Sequence, residues 1–347
     1  MNTKRESNIE LLRIVAMFMI VVHHYCINSG LTQLFDLNNI TFNTILVQFM
    51  AFGGKVGVNI FFIISGFFMI NSTFIKNKVL KLVLEVLFYS VLVILFLWSL
   101  GYLYSIKTII IDTVVLFIGT DSFIAAYLLV YILSPIINKM LKVLSNKEFL
   151  FLLSILLIYF SIFSTFLFMN TWNYFGWAFT CYVVGAWLKL YGNNFNFIKS
   201  LKINVLLAFS CLLLIWVSML VVDFIGVKYG FTAWSWMMGN ANKITVFLMA
   251  VCMFLFFKNL HIKYNKIINT VAGSCFGVLL IHANSNTMRQ WLWKDFLHNT
   301  DYFQSPYLWL HMVLSCVGIY LICTLIDICR IKFIETPLFD RLDKRKK

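Results

Sequence analysis

Charge is scarce in this chain of 347 residues: only 12% of them are Asp, Glu, Lys or Arg, and only 14 are carboxylates. Soluble domains usually carry about 25% charged residues, so an ordinary soluble enzyme is excluded. Proline is scarcer, 3 in the whole chain, which excludes collagen-like architectures. No His-Glu-x-x-His or comparable ligand pair occurs, and no metal ion is expected. The phosphate-loop pattern G-x-x-x-x-G-K-[ST] is missing too, which argues against an ATP-driven pump. The 8 Cys include no C-x-x-C pair. They lie in or beside apolar stretches, read as small packing residues, and say little about redox compartment.

What the chain has is apolar surface, 61% of its residues, with 36 Phe. Soluble domains sit near about 45–50%. A disordered chain and a nucleic-acid-binding domain are incompatible with that composition. The net charge of +14 belongs to membrane topology, as its distribution shows.

A helix needs about 20 mostly apolar residues to cross a bilayer. Ten stretches qualify, near 9–27, 46–71, 79–98, 123–141, 149–168, 174–191, 203–222, 243–257, 268–288 and 307–329. The expected fold class is all-α: one polytopic membrane domain over 1–347, with about ten transmembrane helices and a basic cytosolic tail at 330–347. Lysine and arginine mark the cytosolic side. With the N-terminus inside, 21 of the 28 fall on inner segments and five on outer ones, with Arg13 and Lys55 inside spans. Both termini are therefore expected in the cytosol. The segment 108–122, apolar but interrupted by Asp112, is read as interfacial or re-entrant on the outer face, since another span would invert every later loop. The first apolar stretch is not a cleaved signal peptide: it is too long and carries Glu10, Arg13, His23 and His24.

Ionisable side chains inside a membrane are costly and mark functional sites. At about 100° per residue, Arg13 and His24 share one face of the first helix, ~16 Å apart along its axis. Glu10 lies three residues before Arg13 and can pair with it. His23 points roughly 100° away from His24. This stripe is either a reactive face or a structural polar seam in which Arg13 snorkels. In the second span, glycines at 53, 54 and 57 allow close helix packing, and Lys55, Asn59 and Ser65 are the polar groups. Lys76, Lys78 and Lys81 at its inner end are a topology marker or a phosphate site. His282 stands on an otherwise apolar ninth span, where packing is the plainer role. Trp234 and Trp236 in the outer loops belong to an interfacial belt or to a sugar-stacking rim, with Asp223, Asp295 or Asp301 as hydroxyl acceptors.

Together these segments resemble the membrane acyltransferase family 3, over nearly the whole chain. The most specific part is Glu10-x-x-Arg13 followed by Arg13-x10-His24. Next is Gly57-Val58-Asn59-Ile60-Phe61-Phe62-Ile63-Ile64-Ser65-Gly66-Phe67. Phe276-Gly277-x4-His282 and Glu335-Thr336-Pro337 add weaker support. Two departures stand out: Lys78 and Lys81 replace the family's Arg-x-x-Arg pair, which loses bidentate phosphate geometry, and Asn59 stands where many members have Asp.

The resemblance implies an O-acyltransferase acting on a carbohydrate hydroxyl of a surface polysaccharide or its lipid-linked precursor. Its donor would be a cytosolic acyl-coenzyme A, most simply acetyl-CoA, with succinyl as an alternative acyl group and no permanently bound cofactor. His24 would be the base or a transient acyl carrier, Arg13 and Glu10 its neighbours in the site. Lys76, Lys78 and Lys81 would receive donor phosphates. Lys55, Asn59, Ser65, Gly66 and His282 would line or support the site, and Trp234, Trp236 and Asp295 would meet the acceptor. The expected partners are the lipid bilayer, the carbohydrate acceptor and polysaccharide-assembly proteins, without nucleic acid; the expected location is the bacterial plasma membrane. The rival readings are an exporter of envelope sugars or lipids and a non-catalytic assembly partner.

Overall fold

A computed structural model describes residues 5–344 except 37, 38, 103, 104, 106, 108–112, 115, 121 and 232. Much of the expected interfacial segment 108–122 and the end of the basic tail lie outside those residues. The described residues form helices and no strands. The chain runs α1 (Ser7–Asn28), α2 (Phe42–Ala51), α3 (Gly53–Met69), α4 (Lys76–Ser99), α5 (Phe123–Val143), α6 (Asn146–Phe166), α7 (Tyr174–Leu190), α8 (Leu201–Tyr229) and α9 (Ile244–Asn259). It continues through α10 (Lys266–Gly273), α11 (Cys275–His282) and α12 (Asn286–Gln290) to α13 (Leu308–Arg330) and α14 (Thr336–Lys344). Short polar side chains start many of these helices. Ser122, Ser145, Asn173, Ser200 and Ser285 each accept a first-turn backbone N–H, which satisfies donors that a helix leaves open.

Among the described residues, seven helical segments are long and apolar enough to cross a membrane, among them α1, α2 with α3, α4 and α8. An eighth exists if a bent pair counts as one span. The expected spans at 174–191 and 243–257 are the shorter helices α7, 17 residues, and α9, 16 residues. The expected span at 268–288 falls on that bent pair rather than on one straight helix: the helix stops at His282 and resumes at Asn286 with a 93° bend. Ala283-Asn284-Ser285 breaks it, because small polar residues offer the backbone local alternatives to the helical ladder. Irregular backbone at membrane depth is tolerated where it lines a cavity, and Ala283, Asn284 and Ser285 do line one.

α1 is the hub, packed against α3, α10, α11 and α13. Gly57 of α3 faces the Ala16 carbonyl, which would lie 2.6 Å from a Cβ at 57. The α3–α7 crossing is closer still. A Cβ on Gly66 would overlap the Tyr182 carbonyl, and one on Gly185 would overlap that of Ile63. This is the small-residue packing that membrane helices use without a hydrophobic drive between them. Asn59 is fully buried beside this crossing. Its Nδ2 donates to the Ala241 carbonyl at 2.7 Å, and its Oδ1 accepts from Trp177 Nε1 at 2.8 Å. Asn59 and Gly66 therefore hold helices together; neither forms part of the cavity wall.

A second anchor ties α4 to the end of α13. Arg330 donates to Asp327 at 2.7 Å and Glu335 at 2.8 Å, and lies 3.0 Å from Glu85. Tyr89 donates to Asp327 at 2.7 Å. A Cβ on Gly277 would overlap the Asp327 carboxylate, so the glycine gives α11 room beside the network. Glu335 also binds Lys81 at 3.2 Å.

Candidate active site

Between α1, α3, α5 and α10–α12 lies a cavity of about 900 Å³. Its wall runs from Arg5, two residues before α1, to Asn28 at the end of that helix. At 1.5 Å per residue that is about 35 Å, comparable with the ~30 Å hydrocarbon core of a bilayer. Arg13, His23 and His24 lie on that wall, with Lys55 and Ser65 across from them on α3.

The histidine geometry assigns protons. His282 is fully buried. Its Nδ1 lies 2.6 Å from the Val278 carbonyl, and its Nε2 lies 2.9 Å from His24 Nδ1. A carbonyl only accepts, so His282 Nδ1 carries the hydrogen. In the neutral imidazole, His282 Nε2 is then an acceptor, and His24 Nδ1–H donates to it. That leaves the lone pair of His24 on Nε2, on a side chain that lines the cavity. Two ordinary helix residues, Val278 and His282, thus set the tautomer of a third.

Glu10 and Arg13 pair as their spacing predicts, at 3.5 Å. Glu10 is buried, with Oε2 unpartnered, while Arg13 reaches the cavity wall. Its guanidinium is too basic to relay protons; it can orient or hold an anionic group. Ser65 lines the cavity and donates to the Phe61 carbonyl at 2.8 Å.

Several expected positions are different. His23, expected to point elsewhere, also lines the cavity; its ring is 5.7 Å from that of His24, and Nδ1 donates to the Ala51 carbonyl. The cavity is wider than one helix face. Lys76, Lys78 and Lys81 are absent from the wall. Lys81 is taken by Glu335, and Lys76 and Lys78 are exposed at the start of α4. The cations at that end of the wall are Arg5 and Arg13.

Trp234, Trp236 and Asp295 do not reach the cavity either. Trp234 packs edge-on against Phe35, Trp236 donates to the Thr165 carbonyl at 2.9 Å and stacks on Phe168, and Asp295 accepts from Tyr102 at 2.6 Å. These contacts hold loops. The polar groups at the Asn28 end of the wall include instead Asn28, Asn284, Ser285, Asn286 and Arg289. Their sequence signal was available: four residues, Ala283-Asn284-Ser285-Asn286, interrupt an apolar run directly after His282.

A family model described as an acyltransferase domain, acyltransferase family 3, matches residues 6–328. The chain belongs to that family. No curated protein and no solved structure matches it. The matched region contains every wall residue named above except Arg5, and also His282, which backs His24 from outside the wall. The family and the apolar helices together make the protein a multi-pass membrane acyltransferase.

Proposed function

We propose that this membrane acyltransferase moves an acyl group, most simply acetyl, from cytosolic acyl-CoA to a sugar hydroxyl of a surface polysaccharide or its lipid-linked precursor. The observation that carries the proposal is the lone pair fixed on His24 Nε2 in a cavity whose wall is as tall as a bilayer core. Nε2 takes the proton of the acceptor hydroxyl as its oxygen attacks the thioester carbonyl carbon. The carbon–sulfur bond then breaks, and the proton returns from His24 to the departing thiolate. During the step His282 shares the positive charge through the His24 Nδ1–H bond, the role an orienting acceptor plays behind a base.

The positive-inside bias places the Ser7 end of α1 in the cytosol. Arg5 and Arg13 then meet the donor's phosphates, in a plasma membrane of a bacterium, and the Asn28 end receives the carbohydrate. Family membership favours transfer chemistry over the exporter reading. The test is NMR of surface carbohydrate from cells lacking the protein, complemented with wild type or His24→Ala at matched membrane levels. Wild type restores an O-acyl signal and the variant does not. Equal restoration by both would make His24 structural and move the protein to an accessory role in polysaccharide assembly.

A further inference from the structure

The Lys and Arg side chains on the described cavity wall are Arg5, Arg13, Lys55 and Arg289. The three arginines are held. Arg5 donates to the Asn269 carbonyl at 3.1 Å, Arg13 pairs with Glu10, and Arg289 donates to the Ala283 carbonyl at 3.3 Å and to the Asn286 carboxamide. Lys55 has no ion pair or hydrogen bond among the described residues, although it lies within the span formed by α2 and α3. A cation at that depth without a partner is costly, and such positions mark function.

The helix α3 presents Lys55, Val58, Phe61 and Ser65 to the cavity, a spacing that puts them on one face. Val58 and Phe61 are apolar, and the Ser65 hydroxyl turns back to the Phe61 carbonyl at 2.8 Å. Among the described residues of that face, Lys55 is therefore the group free to extend a donor into the cavity. Gly54 fixes its level. A Cβ at 54 would overlap the His23 side chain, so the glycine lets the start of α3 lie against the histidines, and Lys55 follows it directly. The Lys55 charge acts on the His23 and His24 imidazoles without a hydrogen bond to either.

Attack on a thioester puts negative charge on its carbonyl oxygen, and a donor already aimed at that oxygen is usually a large part of catalysis. With the attacking hydroxyl hydrogen-bonded to His24 Nε2, the carbonyl oxygen lies a few bond lengths further into the cavity. His23 cannot serve it: its ring hydrogen goes from Nδ1 to the Ala51 carbonyl, which leaves Nε2 an acceptor. Arg13 is ~16 Å along the helix axis from His24.

Resting on the acyl-transfer reading above, we infer that Lys55 is a catalytic residue whose ammonium donates to the thioester carbonyl oxygen and stabilises the oxyanion formed there. As the hydroxyl oxygen bonds to the carbonyl carbon and its proton passes to His24 Nε2, the π electrons of the carbonyl move onto oxygen beside Lys55, which keeps its own protons. Those electrons return, the carbon–sulfur bond breaks, and His24 gives its proton to the departing thiolate. The neighbouring wall of Ile20, Val58 and Phe61 is apolar, and in such surroundings the attraction is stronger than in water.

The test uses membranes containing the protein, radiolabelled acetyl-CoA, and surface carbohydrate extracted from cells lacking the protein. Lys55→Met is expected to lower kcat on the order of 10²–10³-fold, with the KM values for acetyl-CoA and carbohydrate little changed. Lys55→Arg, which keeps a charged donor, retains more of the rate. The Met variant also sheds an unpaired charge, so its thermal midpoint in detergent is at or above that of wild type. Fluoroacetyl-CoA supplies a readout that a packing role would not move. Its fluorine stabilises the oxyanion unaided, so the deficit of Lys55→Met shrinks several-fold with this donor.

Full kcat in the Met variant, a loss confined to KM, or an equal deficit with both donors overturns the inference and leaves the enzyme reading intact. A fall in thermal midpoint with little folded protein overturns it too, because Lys55 then holds the fold. Absence of any transfer by wild-type membranes, with surface O-acylation unchanged in cells lacking the protein, overturns both readings.

Discussion

His24 Nδ1 and His282 Nε2 lie 2.9 Å apart, and the second ring is fixed in turn by the Val278 carbonyl. The two histidines come from helices whose sequence separation is 258 residues. Removal of His282 therefore acts through His24. His282→Leu leaves His24 Nδ1–H without an acceptor and frees the ring to change tautomer. The expected loss is on the order of 10²–10⁴ in kcat, with the KM for acetyl-CoA little changed. His282→Gln, whose side-chain oxygen can accept the same hydrogen, retains more of the rate. Steady-state kinetics on membranes of equal protein content measures both; a KM effect alone would make His282 a packing residue.

His23 lines the same cavity but directs its Nδ1 hydrogen to Ala51. His23→Ala removes one buried hydrogen bond, costing about 1 kcal/mol of stability, and leaves the His24–His282 pair in place. A partial loss of rate with a modest fall in thermal midpoint is expected. Complete inactivation at full folding would give His23 a share in the chemistry.

At the α3–α7 crossing, Gly66→Ala and Gly185→Ala each drive a methyl into a facing backbone carbonyl. Neither obstruction is the movable tip of a side chain, so the helices must separate. Overpacking of this sort costs about 1–3 kcal/mol. Thermal unfolding in detergent should show both variants clearly less stable than wild type, and a double variant less than additive because one separation relieves both clashes.

Asn59→Leu strands two buried partners, Trp177 Nε1 and the Ala241 carbonyl. Each costs about 1–3 kcal/mol when left unpaired. Asn59→Asp keeps an acceptor for Trp177 but loses the donor to Ala241 when ionised. Membrane abundance and thermal midpoint should rank wild type above Asp and Asp above Leu.

Arg330 faces three carboxylates, Glu85, Asp327 and Glu335. Arg330→Gln leaves them uncompensated, a change that typically costs 3–5 kcal/mol for a buried pair. Little folded protein should accumulate in membranes, measured by extraction and size-exclusion profile. Lys81→Ala, which removes a half-exposed partner of Glu335 alone, should accumulate normally.

The helical framework was legible because long apolar runs have few alternatives in a bilayer. The Glu10–Arg13 pair and the shared face of Arg13 and His24 followed from helical periodicity. The break after His282 was harder to see, since Leu279, Leu280 and Ile281 mask it in any smoothed hydropathy. Partner choice was not legible at all. Lys81 reads locally as a topology marker or a phosphate ligand, and its partner Glu335 lies 254 residues away. Trp236 looked like a sugar platform but donates to a backbone carbonyl 71 residues distant. Such pairings depend on which loops meet, and no local pattern carries that information. The His24–His282 contact belongs to the same class: each residue was singled out separately, and only tertiary packing joins them.

The helix α8 shows its flanks to the surroundings almost entirely, with buried side chains confined to Asn204, Ile215, Met219, Asp223 and Gly226. Its 29 residues extend about 43 Å, well beyond a hydrocarbon layer of ~30 Å. Its apolar stretch, 203–222, is only about 30 Å long and fits that layer. The extra turns therefore lie beyond the hydrocarbon, where Lys202 and Lys228 stand at the two flanks.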